Sequence, residues 1–377
     1  MAALLRPSSA PMWGVCSGSV MASMGAPDLD TEQKREGTAA HWAAELALQS
    51  GGACADFEGV LHENGVRLDA EMCEAAQVYV DDVRRVLAEF GGELHVEVRL
   101  TMPSIHAENA GTTDSMVAVS AAGRLFLWDF KYGRRRVDAK GNLQLIDYAA
   151  GVKDMYGIDG HAEQHTRIDL IVVQPRCYKP CGPVDTWSII LSELRPYWNQ
   201  LRAKAEEAMT APKFTAGKQC RDCPALIRCD TAAMYNYSVY QYGDQPYAIN
   251  TLDDNQIVTE YRNMSDAFEV IKARREALHD EIKHRIGAGR ETGMRLSSKP
   301  GRAAWTVDKA AVIATFKAIG VDATKADIKT PTQVEKLIPA EHAETAALML
   351  KQLSKRNYSS ELIEADQSLS SRVFSKN

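Results

Sequence analysis

Gly111-Thr112-Thr113-Asp114-Ser115-Met116-Val117-Ala118-Val119-Ser120-Ala121-Ala122-Gly123-Arg124-Leu125-Phe126-Leu127-Trp128-Asp129-Phe130-Lys131 is the stretch on which the reading of this chain turns. Residues 114–119 and 124–129 have the β-branched and aromatic composition of strands. Ser120 to Gly123 supplies a four-residue loop, and Gly123 can take a positive φ there. Pairing Val119 with Arg124 carries Asp114 directly opposite Asp129. Their Cβ atoms then lie roughly 4.5–5.5 Å apart on one face. Two such carboxylates repel unless a cation sits between them, and Lys131, two residues on, shares that face. The arrangement suits a hydrolytic enzyme holding a divalent metal beside an activated water. A single bulge in either strand would destroy the register and the site with it.

A chain of 377 residues has room for two or three domains and a large core. Its hydrophobic content of 45% and charged content of 25% are those of a soluble globular protein. No apolar run is long enough to span a bilayer, and Met1 to Leu5 is too short for a secretory signal, so the cytoplasm is the expected compartment. The net charge of −6 excludes a surface that is basic throughout, so a polyanion must be met by a local patch. Lys131, Arg134, Arg135, Arg136 and Lys140 provide one, immediately after Asp129-Phe130-Lys131.

The eight cysteines do not form a disulfide framework in a chain of this size and compartment. Cys220, Cys223 and Cys229 stand in C-x2-C-x5-C spacing with an intervening Pro and few large apolar residues, which favours a metal or cluster over buried thiols. Three ligands leave one place open. Cys16, in Trp13-Gly14-Val15-Cys16-Ser17-Gly18-Ser19, fills it best, with Cys54, Cys73, Cys177 and Cys181 as competitors. The last two read as incidental loop thiols.

Residues 1–27 read as an irregular segment. A helix is expected over 28–50, capped by Asp30 or Thr31. Within it Gly37 costs about 1 kcal/mol relative to Ala, usually so that another group can approach closely, and His41 and Glu45 share a face one turn apart. A second helix is expected over 68–90, ended by Gly91-Gly92, then a strand over 93–101 and the hairpin. A helix over 141–156 puts Gln144 and Tyr148 on one face. Arg167 to Gln174 reads as a buried central strand, and a helix follows at 188–209. The order predicts an α/β core with a mixed sheet. Beyond residue 250 the texture changes to a charged helical stretch at 252–287, a Gly/Arg/Ser-rich passage at 288–304, and helices near 308–318, 331–337 and 341–355. The polar tail from 357 is expected to be poorly ordered. The predicted organisation is an N-terminal segment 1–27, a core 28–235 that closes with the cysteine motif, and a helical region 250–377.

Together these residues resemble the PD-(D/E)XK nuclease superfamily, in the RecB-like branch that carries an iron–sulfur cluster. Gly37-x-x-x-His41 is similar to its first motif, Gly111-x-x-Asp114 to its second, Asp129-Phe130-Lys131-Tyr132-Gly133 to its Asp-x-Lys motif, and Gln144-Leu145-x-x-Tyr148 to the helix lining its active site. Cys16 with C-x2-C-x5-C is similar to the cluster ligation of CRISPR-associated and helicase-linked nucleases. Trp13–Ser19 and Glu36–His41 also look like a phage-borne family of this type. The resemblance covers residues 10–235 and implies a restriction-endonuclease-like core. It implies Mg²⁺ or Mn²⁺ held by His41, Asp114, Asp129 and the Phe130 carbonyl; Glu97 on the preceding strand is a further candidate, against the ordinary reading of an edge-strand glutamate as solvated. Lys131 would stabilise developing charge, while Gln144 and Tyr148 position substrate or water. Cys16, Cys220, Cys223 and Cys229 would hold an iron–sulfur cluster of the 4Fe–4S type, with zinc as the alternative, pinning the N-terminus to the core. Arg134, Arg135, Arg136 and Lys140 would meet DNA phosphates. The implied activity is a metal-dependent deoxyribonuclease, an exonuclease at DNA ends in phage-type recombination or replication inside a bacterial host. Its implied partners are DNA, a single-strand-binding or annealing protein, and further copies of itself. The alternatives are a catalytically silent DNA-binding scaffold that keeps the fold, and a zinc-stapled enzyme of unrelated chemistry.

Overall fold

The computed structural model describes residues 3–26, 31–242, 253–324, 329–335, 337–339 and 342–364. It divides into two compact units, Met1–Arg274 and Arg275–Asn377.

The N-terminal segment is structured, contrary to expectation. A 3₁₀ turn at Pro7–Ser9 leads into α1 (Ala10–Trp13) and α2 (Gly18–Ser23). Helices of four and six residues are too short to display a 3.6-residue period, so sequence pattern cannot reveal them. What holds them is tertiary. Leu5 and Trp13 are fully buried, the Trp13 indole N–H donates to the Arg6 carbonyl at 2.9 Å, and Leu5 forms a parallel bridge with Asn109.

Helix α3 (Glu32–Ser50) starts where the Thr31 hydroxyl accepts from the Lys34 N–H at 3.2 Å, with Glu32 complementing the helix dipole. It ends at Gly51, whose φ of 76° closes a left-handed cap. Helix α4 (Ala70–Phe90) is capped by Asp69 in the same way. The buried alanines Ala39, Ala40, Ala43, Ala44 and Ala47 of α3 let the two axes approach closely. Strands β1 (Glu93–Thr101), β2 (Ala110–Val119) and β3 (Arg124–Phe130) follow, then α5 (Leu143–Tyr156), α6 (His161–His165), β4 (Arg167–Val173), β5 (Val184–Ile190) and α7 (Arg195–Thr210).

The five strands form one mixed sheet in the order β1-β2-β3-β4-β5, parallel only between β3 and β4. Helix α5 joins those two parallel strands, as a parallel pair requires. The predicted hairpin register holds: Val119 faces Arg124, the ladder runs to Ser115 opposite Trp128, and Gly123 takes φ 56°. Strand alternation then sorts the core. Met116, Leu125, Leu127, Leu170 and Val172 pack against α5, α7 and the N-terminal segment. Val117, Phe126, Trp128, Phe130 and Ile171 pack against α3 and α4.

Residues 188–194 are not helical. They finish β5 and a 3₁₀ turn, and α7 begins only at Arg195 with Pro196 in its first turn. Trp187 and Ile189 face the core while Thr186 and Ser188 face solvent, so this edge strand carries a period of two that a short apolar run conceals. Helices α8 (Asp230–Tyr242) and α9 (Asp254–Gly287) complete this part of the chain, and the unit boundary falls within α9.

In the second unit, β6 (Met294–Trp305) pairs antiparallel with β7 (Ser354–Glu364) around α10 (Lys309–Lys317), α11 (Pro331–Glu335) and α12 (Ala343–Leu353). Val312, Phe316, Val321, Ala323 and Val334 form its core. Most of the Gly/Arg/Ser-rich passage, from Met294 on, and the start of the polar tail are therefore strands. Their pairing partners lie far apart in the chain, and neither segment has the apolar alternation that announces a strand. Of the tail expected to be poorly ordered, 365–377 lies outside the described residues. Among the described residues no helix is long and apolar enough to cross a membrane.

A candidate metal-dependent active site and a cysteine cradle

The hairpin delivers Asp114 and Asp129 to the same end of the sheet. Beyond the last paired residues, Asp114 Oδ2 accepts from the Phe130 N–H at 2.6 Å, so the carboxylate closes the hairpin where the ladder stops. Its other oxygen lies 3.4 Å from His41 Nδ1. The His41 ring rests against Phe130, centroids 5.1 Å apart, and Tyr79 stacks on the same phenyl ring at 5.3 Å. Asp129 Oδ1 takes two donors, Lys131 Nζ and Gln144 Nε2, each at 2.9 Å. Lys131 also donates to Gln144 Oε1 at 3.1 Å. Asp129 Oδ2 is buried with no partner.

Glu97 completes the group. It lies between the Val96–Ser115 and Val98–Thr113 pairs of an unbroken register, yet its φ is +49°. A non-glycine residue in that region costs about 1–3 kcal/mol and persists where the surroundings over-determine it. The local rotation gathers ligand atoms of Glu97, His41 and Asp114 within 4.8 Å of one another, the one such set among the described residues. Its sequence signal was faint, because a glutamate in an edge strand is usually only solvated.

Electrostatics follow the geometry. Burial raises the Asp114 carboxyl, but His41, Lys131 and the Phe130 N–H outweigh it and hold the carboxyl below its ordinary value. Asp129 is raised by burial, with the Asp114 charge adding to it against the pull of Lys131. Glu97 is pushed up to about 7 by burial and the neighbouring Asp114. Burial opposes the charge on His41 and on Lys131, yet the carboxylates raise both above their usual values. An acid pair driven apart and an orphaned carboxylate oxygen describe a site short of positive charge. The donor set of one imidazole and three carboxylates suits a hard divalent ion.

The glycines of the two motifs have different reasons. A Cβ on Gly111 would meet Pro7 at 2.7 Å and the Tyr148 hydroxyl at 3.1 Å, so this glycine admits the N-terminal strap. Tyr148 itself donates to the Thr112 carbonyl, which makes it a brace for β2 beside the carboxylates. Gly37, expected to admit a neighbouring group, has nothing within 4 Å of its Cβ position. The space one turn before His41 is open. Of the basic stretch, Arg135 is held by Asp222, Arg136 pairs with Asp138 at 2.7 Å, and Arg134 reaches Glu71 only at 3.7 Å. Lys140 is exposed.

The cysteines sort cleanly. Cys16, Cys220, Cys223 and Cys229 all line one small pocket, walled by Met12, Phe214 and Leu226. Each is a free thiol, and the Thr215 N–H donates to Cys16 Sγ at 3.3 Å. Cys54 and Cys73 are buried instead in the α3/α4 core, while Cys177 and Cys181 sit between β4 and β5, the latter exposed.

The positive φ of Glu97 gives a direct test. Glu97→Gly is expected to raise thermal stability in metal-free buffer by about 1 kcal/mol, and to weaken Mn²⁺ binding by roughly ten-fold or more. A melt and a Mn²⁺ titration read the two effects separately. Unchanged Mn²⁺ affinity would remove Glu97 from the ligand set.

A family model described as protein of unknown function (DUF2800) matches residues 2–366, a span that takes in the hairpin, the His41 helix, all four cradle cysteines and most of the second unit. The chain belongs to that family.

Proposed function

We propose that this chain is a metal-dependent deoxyribonuclease that hydrolyses DNA phosphodiester bonds at strand ends. The observation that carries the reading is the convergence of His41, Glu97 and Asp114 beside the unpartnered Oδ2 of Asp129 and the charged amine of Lys131. His41, Glu97, Asp114 and Asp129 would hold Mg²⁺ or Mn²⁺, with the Phe130 carbonyl as the backbone ligand that the resemblance implies. Such an ion, when bound, supplies Lewis acidity and lowers the pKa of a neighbouring water. Lys131, kept protonated between Asp129 and Gln144, stabilises negative charge developing on the phosphate. Gln144 fixes both partners at once, so its amide sets the distance between the carboxylate and the amine. Tyr148 holds β2 in place through Thr112. The open space over Gly37 leaves room for a strand to pass beside His41, and Arg134, Arg136 and Lys140 offer exposed charge for flanking phosphates.

Action at ends rests on the resemblance to phage-borne nucleases, whose usual task is resection for recombination, and on the absence of a recognisable sequence-reading module among the described residues. With Mg²⁺, linear duplex is expected to fall to short products while covalently closed circles survive. Equal rates on both would make the enzyme an endonuclease. No cleavage of single- or double-stranded DNA with any divalent ion would overturn the reading.

The cradle cysteines would hold an iron–sulfur cluster. Four thiolates also suit a single zinc; an iron–sulfur cluster is preferred on the resemblance that Cys16 and the C-x2-C-x5-C spacing carry. Its work here is structural, tying Cys16 to the end of the nuclease core.

A further inference from the structure

The two residues between Cys220 and Cys223 are Arg221 and Asp222, and they leave the cysteine turn in different directions. Arg221 Nη1 meets Glu269 of α9 at 2.8 Å. Asp222 takes a two-point ion pair from Arg135, at 2.7 and 2.8 Å. This fork-on-carboxylate geometry is the strongest form of side-chain ion pair, and Arg135 is only four residues past Lys131.

Arg135 itself is not on a free loop. Gln174, fully buried at the end of β4, donates to the carbonyls of Gly133 at 2.8 Å and Arg135 at 2.6 Å. Its oxygen accepts from the Val137 N–H at 3.0 Å. All of the side-chain amide's bonding therefore goes to the backbone of the basic loop. The path is continuous, from sheet to Gln174, to the Arg135 backbone, to its guanidinium, to the turn carrying Cys220 and Cys223.

We propose that Arg135 is a positioning residue for the cysteine cradle, anchoring the Cys220–Cys223 turn to the sheet end that carries Asp129 and Lys131, rather than a contact for DNA phosphate. The inference rests on the cradle holding a metal centre. Two neighbouring arginines of the same stretch supply the contrast, since neither Arg134 nor Arg136 reaches the cysteine turn in any ion pair of the described residues.

The test uses full-length protein purified anaerobically, with iron and zinc measured first. Release of metal to an excess of a chromogenic chelator is then followed by the absorbance of the metal–chelator complex, which reads zinc as well as iron. Arg135→Gln and Asp222→Asn are each expected to release metal about five-fold faster than wild type, the factor that roughly 1 kcal/mol of a bidentate surface pair gives. Arg134→Gln and Arg136→Gln should release it at the wild-type rate. The exchanged pair Arg135→Asp with Asp222→Arg should recover most of the loss, which separates the ion pair from a general folding defect. Affinity for a short duplex, measured with metal still bound, should fall no further in Arg135→Gln than in Arg136→Gln. Wild-type release from both single variants, or no recovery in the exchanged pair, would overturn the anchor while leaving a metal-bearing cradle intact. A protein that takes up neither iron nor zinc would overturn the cradle and the anchor together.

Discussion

Asp129→Asn is expected to abolish DNA cleavage while leaving the protein folded. The wild-type carboxylate offers one oxygen to Lys131 and Gln144 and keeps the other buried without a partner. An asparagine can still accept from Lys131 or Gln144 but brings an N–H₂ where a divalent ion is to be bound. Loss of a ligand charge at a metal site removes several kcal/mol of transition-state stabilisation, roughly three orders of magnitude in rate or more. The amide is the better variant than alanine, because alanine would strand the ammonium of Lys131 in its half-buried position. Replacing one of two neighbouring buried carboxylates also relieves like-charge repulsion with Asp114, so the melting temperature in metal-free buffer should stay within a few degrees of wild type. Digestion of linear DNA with Mg²⁺ against a parallel melt checks both halves. Cleavage at the wild-type rate would remove Asp129 from the chemistry.

Cys16→Ser should bleach the visible absorption of the protein and loosen its N-terminus. The thiol lines the same cavity as Cys220, Cys223 and Cys229, so a centre bound there ties two points of the chain about two hundred residues apart. Closing a loop of that length restricts the unfolded chain by about 5 kcal/mol on the disulfide scale, and most of that stabilisation should vanish with the ligand. Cys54→Ser, by contrast, places a hydroxyl in the α3/α4 core and should lower stability without changing iron content. Iron analysis and thermal melts of the two variants form the comparison. Full iron in Cys16→Ser with loss in Cys54→Ser would reassign the fourth ligand.

Much of the site was legible because its residues are local. Asp114 and Asp129 belong to one hairpin, and a tight loop with a left-handed Gly123 leaves little freedom in their register. Gln144 and Tyr148 share a helix face one turn apart, so a period of 3.6 is enough to pair them. Glu97 was harder, since what brings it in is a single backbone rotation to φ +49° inside an otherwise regular strand, which no composition rule foretells. Strand β5 was missed for another reason. Its alternation is half polar, as an edge strand's is, and its apolar members run into the start of α7. The pairing of β6 with β7 joins segments with little hydrophobic signal, and α1 and α2 are stabilised almost wholly by what they touch.

That last feature bears on how the molecule is made. Leu5 hydrogen-bonds to the strand entrance at Glu108 and Ala110, Ser17 bonds to Glu207 and Lys213, and Cys16 faces a turn more than two hundred residues later. This segment leaves the ribosome before its partners and finds its place only once the sheet and α7 have been synthesised. Contacts of such high sequence separation form late and slowly. Until they do, Trp13 and the cradle thiols stay exposed, and the brace on Gly111 beside the carboxylates is missing. A nascent chain would therefore carry its acidic residues for some time without the framework that positions them. Under the nuclease reading proposed above, an order of assembly that frames the carboxylates last would itself be a safeguard.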